Sequence, residues 1–300
     1  MRIKKHLLCI SYGIVLLLFT VYLMLDTFVI PKSYEKIEID PDDAVTDTNI
    51  SVPDEKDIIF TDTEYKDENI SITLTKHREY GTDIYVAEIK VASPTLLKSA
   101  LAKDTYGQNV NAPVSEIASG KNAILAINGD FYGVNNIRYV IRNGALYRDI
   151  PLENREDIVI YKDGTYGTIN ESYVSAQQLK DNGAYQLFSF GPTLVKDGVI
   201  SDTQEHVLNI AGKNPRTAIG FKEPGHMFFV VADGRTDYSA GLTFPELSQF
   251  MHSIGATDLA YNLDGGGSTT MYFNGKVVNK PSADGKIKER EVSDIVYIGY

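Results

Sequence analysis

Cysteine and histidine are scarce in this 300-residue sequence, and their scarcity excludes several kinds of site. The single cysteine, Cys9, cannot form an internal disulfide framework or a cysteine-ligated zinc site. The five histidines show no metal-ligand spacing, so we do not expect a multi-histidine metal centre. The sequence also lacks a G-x-x-x-x-G-K-[ST] phosphate loop, a G-x-G-x-x-G segment opening a helix, and a G-x-S-x-G elbow, which disfavours nucleotide binding and serine-hydrolase chemistry.

Basic residues are outnumbered as well. The chain has 29 Lys and Arg against 40 Asp and Glu, which gives a formal net charge of −11. Because phosphate backbones bind basic surfaces, nucleic acid is not expected as a partner, and protein partners are left open. The hydrophobic fraction of 43% is that of an ordinary globular protein. The chain of 300 residues is long enough for one or two domains.

Long apolar runs are confined to the N-terminus. Arg2, Lys4 and Lys5 precede an apolar run at 7–25, about the 20 residues that cross a bilayer. The following "LDTFVIPKS" has no small-x-small cleavage site, which favours an uncleaved anchor over the alternative, a cleaved signal peptide. The basic residues place the N-terminus in the cytoplasm. We therefore predict a single-pass cell-membrane protein, with a cytoplasmic tip and anchor at 1–30, membrane contact through 7–30, and the remainder extracytoplasmic.

Two further regions follow the predicted anchor. Residues 31–69 are rich in Asp and Glu with little periodicity, which is typical of a solvated stalk. Residues 70–300 alternate strand-like runs with Asn-Gly and Asp-Gly hairpin signals. The best helix is "TFPELSQFMHSIG", in which Thr243 can cap and Pro245 lies in the first turn. We predict an α+β fold for this region, a single mixed-sheet domain with few helices.

Four apolar strands end in polar clusters flanked by glycine: "INGDFYG", "NPRTAIG", "VADGR" and "NLDGGGST". Because strand ends present side chains on adjacent loops, four such ends in one domain suggest a site. Three aspartates occupy this context: Asp130, Asp233 and Asp264. Two carboxylates flanking a scissile bond are the usual requirement of glycoside hydrolysis, although a lone aspartate in such a position ordinarily closes a turn.

The glycine run after Asp264 and two arginines suggest that the site takes an anion. Successive glycines let backbone N–H groups converge on an oxyanion, and a planar guanidinium binds one bidentately. The candidates are Gly265, Gly266, Gly267, Ser268 and Thr269 in the glycine run, with Arg216 and Arg235. No cofactor is required by this arrangement, and Ca²⁺ or Mg²⁺ held by the aspartates is the alternative.

Taken together, these motifs resemble those of the phosphodiester glycosidase family over roughly residues 70–300. The resemblance rests on "AINGDFYG", "NPRTAIG", "VADGR", "NLDGGGSTTMYFNGKVVNKPS" and the closing "EREVSDIVYIGY". It implies hydrolysis of the bond between a sugar anomeric carbon and a phosphodiester, and it adds Asn128, Arg290 and Ser293 to the candidates for substrate binding. The closing segment departs from the family's frequent Glu-Arg-Pro-Val-Ser-Asn, because Glu291 and Asp294 replace the proline and the asparagine.

The resulting functional prediction is an anchored glycoside hydrolase acting on sugar-1-phosphodiesters of envelope or exported glycans. Its catalytic candidates are Asp130, Asp233 and Asp264, and its partner is a phosphorylated glycan. Two alternatives stay open. One is a metal-dependent phosphodiesterase that cleaves P–O, and the other is a non-catalytic glycan-binding accessory of exopolysaccharide biosynthesis.

Overall fold

The computed structural model describes residues 2–34, 50–134, 136–201 and 212–300. Met1 and residues 35–49, which belong to the predicted anchor and stalk, lie outside the described residues. Within the described residues there are four α-helices. They are α1 (Arg2–Phe28), α2 (Val114–Gly120), α3 (Ala176–Asp181) and α4 (Phe244–Ser253). The rest of the described chain is mostly β-structure.

The largest sheet has nine strands. In spatial order they are β15 (Val199–Ile200), β14 (Thr193–Lys196), β18 (Leu259–Asn262), β16 (Arg216–Glu223), β17 (His226–Ala232), β5 (Thr82–Val91), β4 (Ile70–Glu79), β3 (Glu64–Lys66) and β2 (Ile59–Phe60). The two outermost strands, β2 and β3, come from the region predicted as a stalk, so that part of it pairs with the domain.

Two smaller sheets have five strands each. The first contains β20 (Lys276–Val277), β19 (Met271–Phe273), β8 (Leu125–Asn128), β23 (Asp294–Ile298) and β6 (Leu97–Leu101). The second contains β10 (Ala145–Arg148), β9 (Val140–Arg142), β13 (Ala184–Phe188), β11 (Glu156–Tyr161) and β12 (Tyr166–Asn170). Two-stranded pairs are formed by β1 (Lys32–Ser33) with β7 (Gly107–Gln108) and by β21 (Ser282–Ala283) with β22 (Lys286–Ile287).

The prediction of a single mixed sheet is therefore wrong, because the strands divide among several sheets. Every strand pairing in the described residues is antiparallel. The physical reason lies in the connections. Tight turns such as Asn143-Gly144 and Asn274-Gly275 join antiparallel neighbours, whereas parallel neighbours need long crossovers that are usually helical. The expectation of few helices is confirmed.

The central strands of the nine-stranded sheet, β16, β17 and β18, are buried on both faces over most of their length. One face packs against the β8 sheet through Ile89, Phe229, Ile127 and Val296, which belong to one buried cluster. The other face is covered by α4, whose apolar stripe contacts the sheet. Thr243 caps α4 and forms a capping box with Glu246, as the sequence pattern predicts. Helix α2 covers the outer face of the β8 sheet, and α3 packs on the β9 sheet.

Helix α1 carries the predicted anchor. Its residues Ile10–Phe28 are apolar enough and long enough to cross a membrane, and none of that segment is buried against the domain. The same length and composition suit a signal sequence. Its apolar side chains are exposed along the segment, which is consistent with either role.

Candidate active site

The antiparallel register brings three of the polar strand ends to one edge of the nine-stranded sheet. Strand β16 begins at Arg216, which pairs with Ala232 at the end of β17, and Asp233 follows directly. Strand β18 lies on the other side of β16 and ends at Asn262, two residues before Asp264. The motifs at 214–216, 233–235 and 262–269 are distant in sequence and become neighbours because β16 lies between β17 and β18.

Asn128, at the end of β8, ties the second sheet to this edge. Its side-chain amide donates to the backbone carbonyl of Asp264 at 2.7 Å, and its Oδ1 accepts from the Thr217 hydroxyl at 2.8 Å. It also accepts from the backbone N–H of Thr270 at 3.3 Å. Because Asn128 is fully buried and bonded to both sheets, it holds the strand ends in place and does not face the cleft.

A cleft of about 300 Å³ opens at this edge. Its lining residues are Phe131, Phe190, Asn214, Arg216, Arg235, Phe244, Asp264, Gly265, Gly266 and Arg290. The described lining thus combines three guanidinium groups, one carboxylate and three phenyl rings. A cleft of this size with aromatic walls and few convergent polar groups is typical of a small-ligand site.

Asp264 is the carboxylate of the described cleft lining. Its Oδ2 accepts from Arg290 Nη2 at 2.8 Å, and Arg290 Nε also donates to the Ser268 hydroxyl at 2.9 Å. Burial raises the pKa of Asp264 above its usual value, and the positive charge of Arg290 opposes that shift. A raised pKa suits an aspartate to accept and release a proton during a reaction.

Arg216 and Arg235 approach the cleft from the neighbouring strands. Arg216 stacks on the Phe244 ring, with its guanidinium carbon 3.9 Å from the ring centroid, and donates to the Leu242 carbonyl at 3.0 Å. Burial and the nearby positive charge of Arg235 lower the pKa of Arg216 to about 10, so it stays cationic at neutral pH. Arg235 is held by Asn214, whose Oδ1 accepts from Arg235 Nη2 at 3.0 Å.

The glycine run allows these groups to approach the backbone closely. A Cβ on Gly265 would lie 2.7 Å from the Pro215 carbonyl oxygen, and one on Gly266 would lie 2.9 Å from Arg235 Nη2. Gly266 also has a φ of +60°, which side chains rarely permit. Several N–H groups of the run already bind carbonyls, including that of Gly266, which donates to Pro215 at 2.9 Å. The missing side chain of Gly266 therefore leaves room for Arg235, and that of Gly265 leaves room for the Pro215 carbonyl.

The other two predicted catalytic aspartates lie outside the cleft lining. Asp130 Oδ1 accepts from Arg142 at 2.7 Å, and its Oδ2 accepts from the backbone N–H of Ser189 at 2.8 Å. Asp130 therefore binds the segment that carries Phe190, and in the chain Asp130 itself directly precedes Phe131. It thus helps to position two walls of the cleft. Its predicted catalytic role stays a prediction.

Asp233 lies behind the glycine run. Its Oδ1 accepts from the Asn279 amide and from the Lys280 backbone N–H, both at 3.0 Å, and burial raises its pKa. The same Asn279 amide donates to the Thr269 carbonyl at 3.1 Å, so Asp233 supports the end of the glycine run. Its catalytic role also stays a prediction.

The remaining predicted residues divide between the cleft and its support. Arg290, Gly265 and Gly266 line the cleft, whereas Gly267, Ser268 and Thr269 are buried behind it. Ser293 is buried apart from the described cleft lining, where its hydroxyl donates to Asn111 at 3.0 Å.

Sequence reasoning missed the aromatic walls and Asn214. Phe131 follows Asp130 directly, and Phe190 stands in "SFG" beside a strand end, the same context that marked the aspartates. Phe244 is the first residue of α4, where an apolar side chain is expected simply to pack on the sheet. Sequence reasoning also missed Arg142, which donates hydrogen bonds to Asp130 at 2.7 Å and to Asp294 at 2.9 Å. This cluster explains how Asp294 is accommodated where the family pattern frequently has asparagine.

A model of the phosphodiester glycosidase family matches residues 121–299, which include every residue of the cleft lining. This chain belongs to the phosphodiester glycosidase family. The chain is 29% identical over 264 residues to the SPbeta prophage-derived uncharacterized protein YomE of Bacillus subtilis (strain 168), covering 81% of this chain and 40% of that protein. It is also 29% identical over 216 residues to the N-acetylglucosamine-1-phosphodiester alpha-N-acetylglucosaminidase of Mus musculus, covering 64% of this chain and 40% of that enzyme.

Solved structures share the fold of this family member at low sequence identity. The catalytic domain of the zebrafish N-acetylglucosamine-1-phosphodiester alpha-N-acetylglucosaminidase, auto-inhibited by its pro-peptide, superposes with a TM-score of 0.60 at 22% identity, covering 77% of this chain and 83% of that one. A hypothetical protein from Synechocystis also superposes with a TM-score of 0.60, at 17% identity, covering 77% of this chain and 62% of that one. This chain spans only about 40% of the length of the Bacillus subtilis and Mus musculus relatives.

Proposed function

We propose that this family member is a membrane-anchored, extracytoplasmic glycosidase that hydrolyses the bond between a sugar anomeric carbon and a phosphodiester. The observation that carries the proposal is the juxtaposition of three arginines, Asp264 and aromatic walls in one cleft. Guanidinium groups suit the phosphodiester anion, and phenyl rings suit the apolar face of a sugar. The relatives named as N-acetylglucosamine-1-phosphodiester alpha-N-acetylglucosaminidases are named for this class of bond.

The proposed reaction uses Asp264 as the base. The oxygen of a water molecule bonds to C1 while the bond from C1 to the phosphate oxygen breaks and its electron pair stays on the phosphate. The water proton passes to the Asp264 carboxylate and then to solvent, which leaves the free sugar and a phosphomonoester. Because a phosphate leaves readily without a proton, one cleft carboxylate suffices where glycoside hydrolysis usually needs two. Arg216 and Arg235 stabilise the charge that develops on the phosphate.

Anchoring by α1 completes the proposal. The helix has the length and composition of a membrane span, and basic residues stand on its N-terminal side. With α1 retained, the cleft faces the extracytoplasmic side, where the substrate would belong to an envelope or exported glycan.

Hydrolysis in ¹⁸O-labelled water by the full-length protein in detergent tests the chemistry. The substrates are a panel of sugar 1-(methyl phosphate) diesters that differ in the sugar. We expect the label in the C1 hydroxyl of the released sugar. Label in the phosphate would mean P–O cleavage and would refute the glycosidase. Binding of the panel without turnover would support the non-catalytic accessory instead.

The variant Asp264→Asn tests the role of the carboxylate. General-base catalysis contributes about 10²- to 10⁴-fold, so we expect kcat to fall by roughly that factor. Asp284→Asn is the matched control, because this aspartate is exposed on the β21–β22 turn, where it pairs with Lys288 at 2.7 Å and does not line the cleft. We expect the control to keep wild-type kcat, and near wild-type kcat in Asp264→Asn would remove this residue from the mechanism.

The metal-dependent alternative has less support in the described residues. Within 2–34, 50–134, 136–201 and 212–300 no three His, Cys, Asp or Glu side chains are grouped as a metal site. The prediction of Ca²⁺ or Mg²⁺ held by aspartates nevertheless stays a prediction, and turnover in the presence and absence of EDTA tests it directly.

A further inference from the structure

Apolar side chains are exposed beside the point where α1 meets the domain. Val134 and Ile137 are each 40% exposed and Ile150 is 48% exposed. Ile137 and Ile150 belong to adjacent backbone segments, because the N–H of Arg138 donates to the Ile150 carbonyl at 2.7 Å. We call Val134, Ile137 and Ile150 the apolar rim. Exposed apolar residues grouped in this way mark an interaction surface more often than scattered ones do.

The apolar rim is tied directly to the end of α1. The Gln108 side-chain amide nitrogen donates both to the Thr27 carbonyl, at 3.4 Å, and to the Val134 carbonyl, at 3.3 Å. Asn109 donates to the carbonyls of Thr27 and Ile30, both at 3.2 Å. Since Thr27 lies in the last turn of the apolar helix, the apolar rim stands at the level where that helix ends.

The chain leaves α1 without a spacer at this point. Lys32 and Ser33 form β1, which pairs with β7 of the domain. Tyr34 follows, and its ring packs on Tyr106 with centroids 6.0 Å apart. The Tyr34 hydroxyl also donates to Asn136 at 3.3 Å, within the loop that carries Val134 and Ile137. These contacts hold the domain against the end of the helix.

The same loop forms one wall of the cleft. Phe131 lines the cleft, and its backbone carbonyl accepts from the N–H of Val134 at 3.4 Å. One short segment therefore has the cleft at one end and the apolar rim at the other.

We infer that the apolar rim rests on the outer surface of the bilayer that holds α1, so that the cleft opens beside the lipid surface. The inference rests on the proposed anchoring. Apolar side chains at the depth where a membrane helix ends enter the interface between headgroups and acyl chains, as interfacial segments do. A cleft that opens beside the lipid surface narrows the proposed substrate to a sugar-1-phosphodiester whose aglycone lies in or at the membrane.

Site-specific labelling of the full-length protein tests the contact. Cys9 is the single cysteine, so Cys9→Ser allows one new cysteine to be introduced at a time. Val134→Cys and Ile137→Cys, labelled with the fluorophore NBD, are compared with Val199→Cys on the edge strand β15, where Val199 is 67% exposed. The protein is reconstituted into phosphatidylcholine and phosphatidylglycerol vesicles with and without brominated phosphatidylcholine.

We expect brominated lipid to quench at least half of the NBD emission at positions 134 and 137 and to leave position 199 unquenched. Equal quenching at all three positions, or none at 134 and 137, would overturn the inference. The intact mass of the reconstituted protein separates the two failures. A mass lacking the N-terminal segment overturns the anchoring, whereas a full-length mass without quenching overturns only the apolar rim.

An activity comparison measures the consequence for the substrate. Ile150→Asp, on the segment of the apolar rim that does not line the cleft, should lower hydrolysis of a vesicle-borne sugar 1-(hexadecyl phosphate) by about fivefold or more and leave hydrolysis of the methyl phosphate diester unchanged. Val199→Asp is the matched control and should change neither. Equal effects of Ile150→Asp on the two diesters would overturn the membrane-facing cleft. If wild type hydrolyses neither diester, the proposed glycosidase fails while the quenching result still decides the apolar rim.

Discussion

A buried cluster of two aspartates and one arginine makes the stability of this protein depend on pH. Arg142 donates to Asp130 at 2.7 Å and to Asp294 at 2.9 Å, and all three side chains are about 1% exposed. Burial raises the pKa of Asp294 to about 7, with Arg142 opposing and the charge of Asp130 adding to the shift. Asp294→Asn keeps an acceptor oxygen for Arg142 and leaves one carboxylate for one guanidinium.

The sign of the effect follows from where Asp294 releases its proton. The folded protein keeps it up to about pH 7, whereas the unfolded chain releases it near the ordinary value of 3.8. Between these pH values the unfolded chain binds fewer protons, so the free energy of unfolding falls as the pH rises. One pKa unit corresponds to about 1.4 kcal/mol of free energy. Because folded Asp294 is already about half deprotonated at pH 7, this group lowers the free energy of unfolding by roughly 2 kcal/mol from pH 5 to pH 7.

Urea unfolding of the full-length protein in detergent, followed by circular dichroism at pH 5, 6 and 7, measures this difference. Because asparagine does not titrate, the free energy of unfolding of Asp294→Asn minus that of wild type should increase by roughly 2 kcal/mol between pH 5 and pH 7. Subtracting wild type removes the contribution of the buried acids outside this cluster. Asp284→Asn, on the exposed turn, should show no comparable increase. A difference for Asp294→Asn that stays constant or shrinks with pH would refute the reasoning.

Three further predictions concern the cleft. Gly266→Ala places a Cβ within 2.9 Å of Arg235 Nη2 at a φ of +60°. It should raise KM and lower the free energy of unfolding in urea by about 1 kcal/mol or more. An unchanged KM would contradict the close approach of Arg235. Phe190→Leu removes an aromatic wall and should raise KM about 2- to 10-fold with little change in kcat. Because burial raises the pKa of Asp264 and the base must be unprotonated, kcat/KM should rise with pH through a value above 3.8, and a flat profile from pH 4 to 8 would exclude that role.

Local sequence patterns predicted the hairpin turns and the capped helix α4. The turns at Asn143-Gly144 and Asn274-Gly275 and the cap at Thr243 are where the residues place them, because turn and cap chemistry depends on a few neighbouring residues. The division into several sheets was not predicted. Which strands become neighbours depends on long-range packing, such as the burial of Ile127 and Phe229 between two sheets, and short segments do not encode it locally.

The candidate site divides in the same way. The motifs in the sequence were sufficient to recognise the family. Arg216, Arg235 and Asp264 were selected from residue type and local context, whereas Arg290 was added by the family resemblance. Tertiary structure alone decided that Asp130 is bonded to Arg142 and outside the cleft lining. A strand-end aspartate has the same local signature whether it faces a cleft or a buried guanidinium. The difference arises from which side chain lies opposite, and here that partner comes from another sheet.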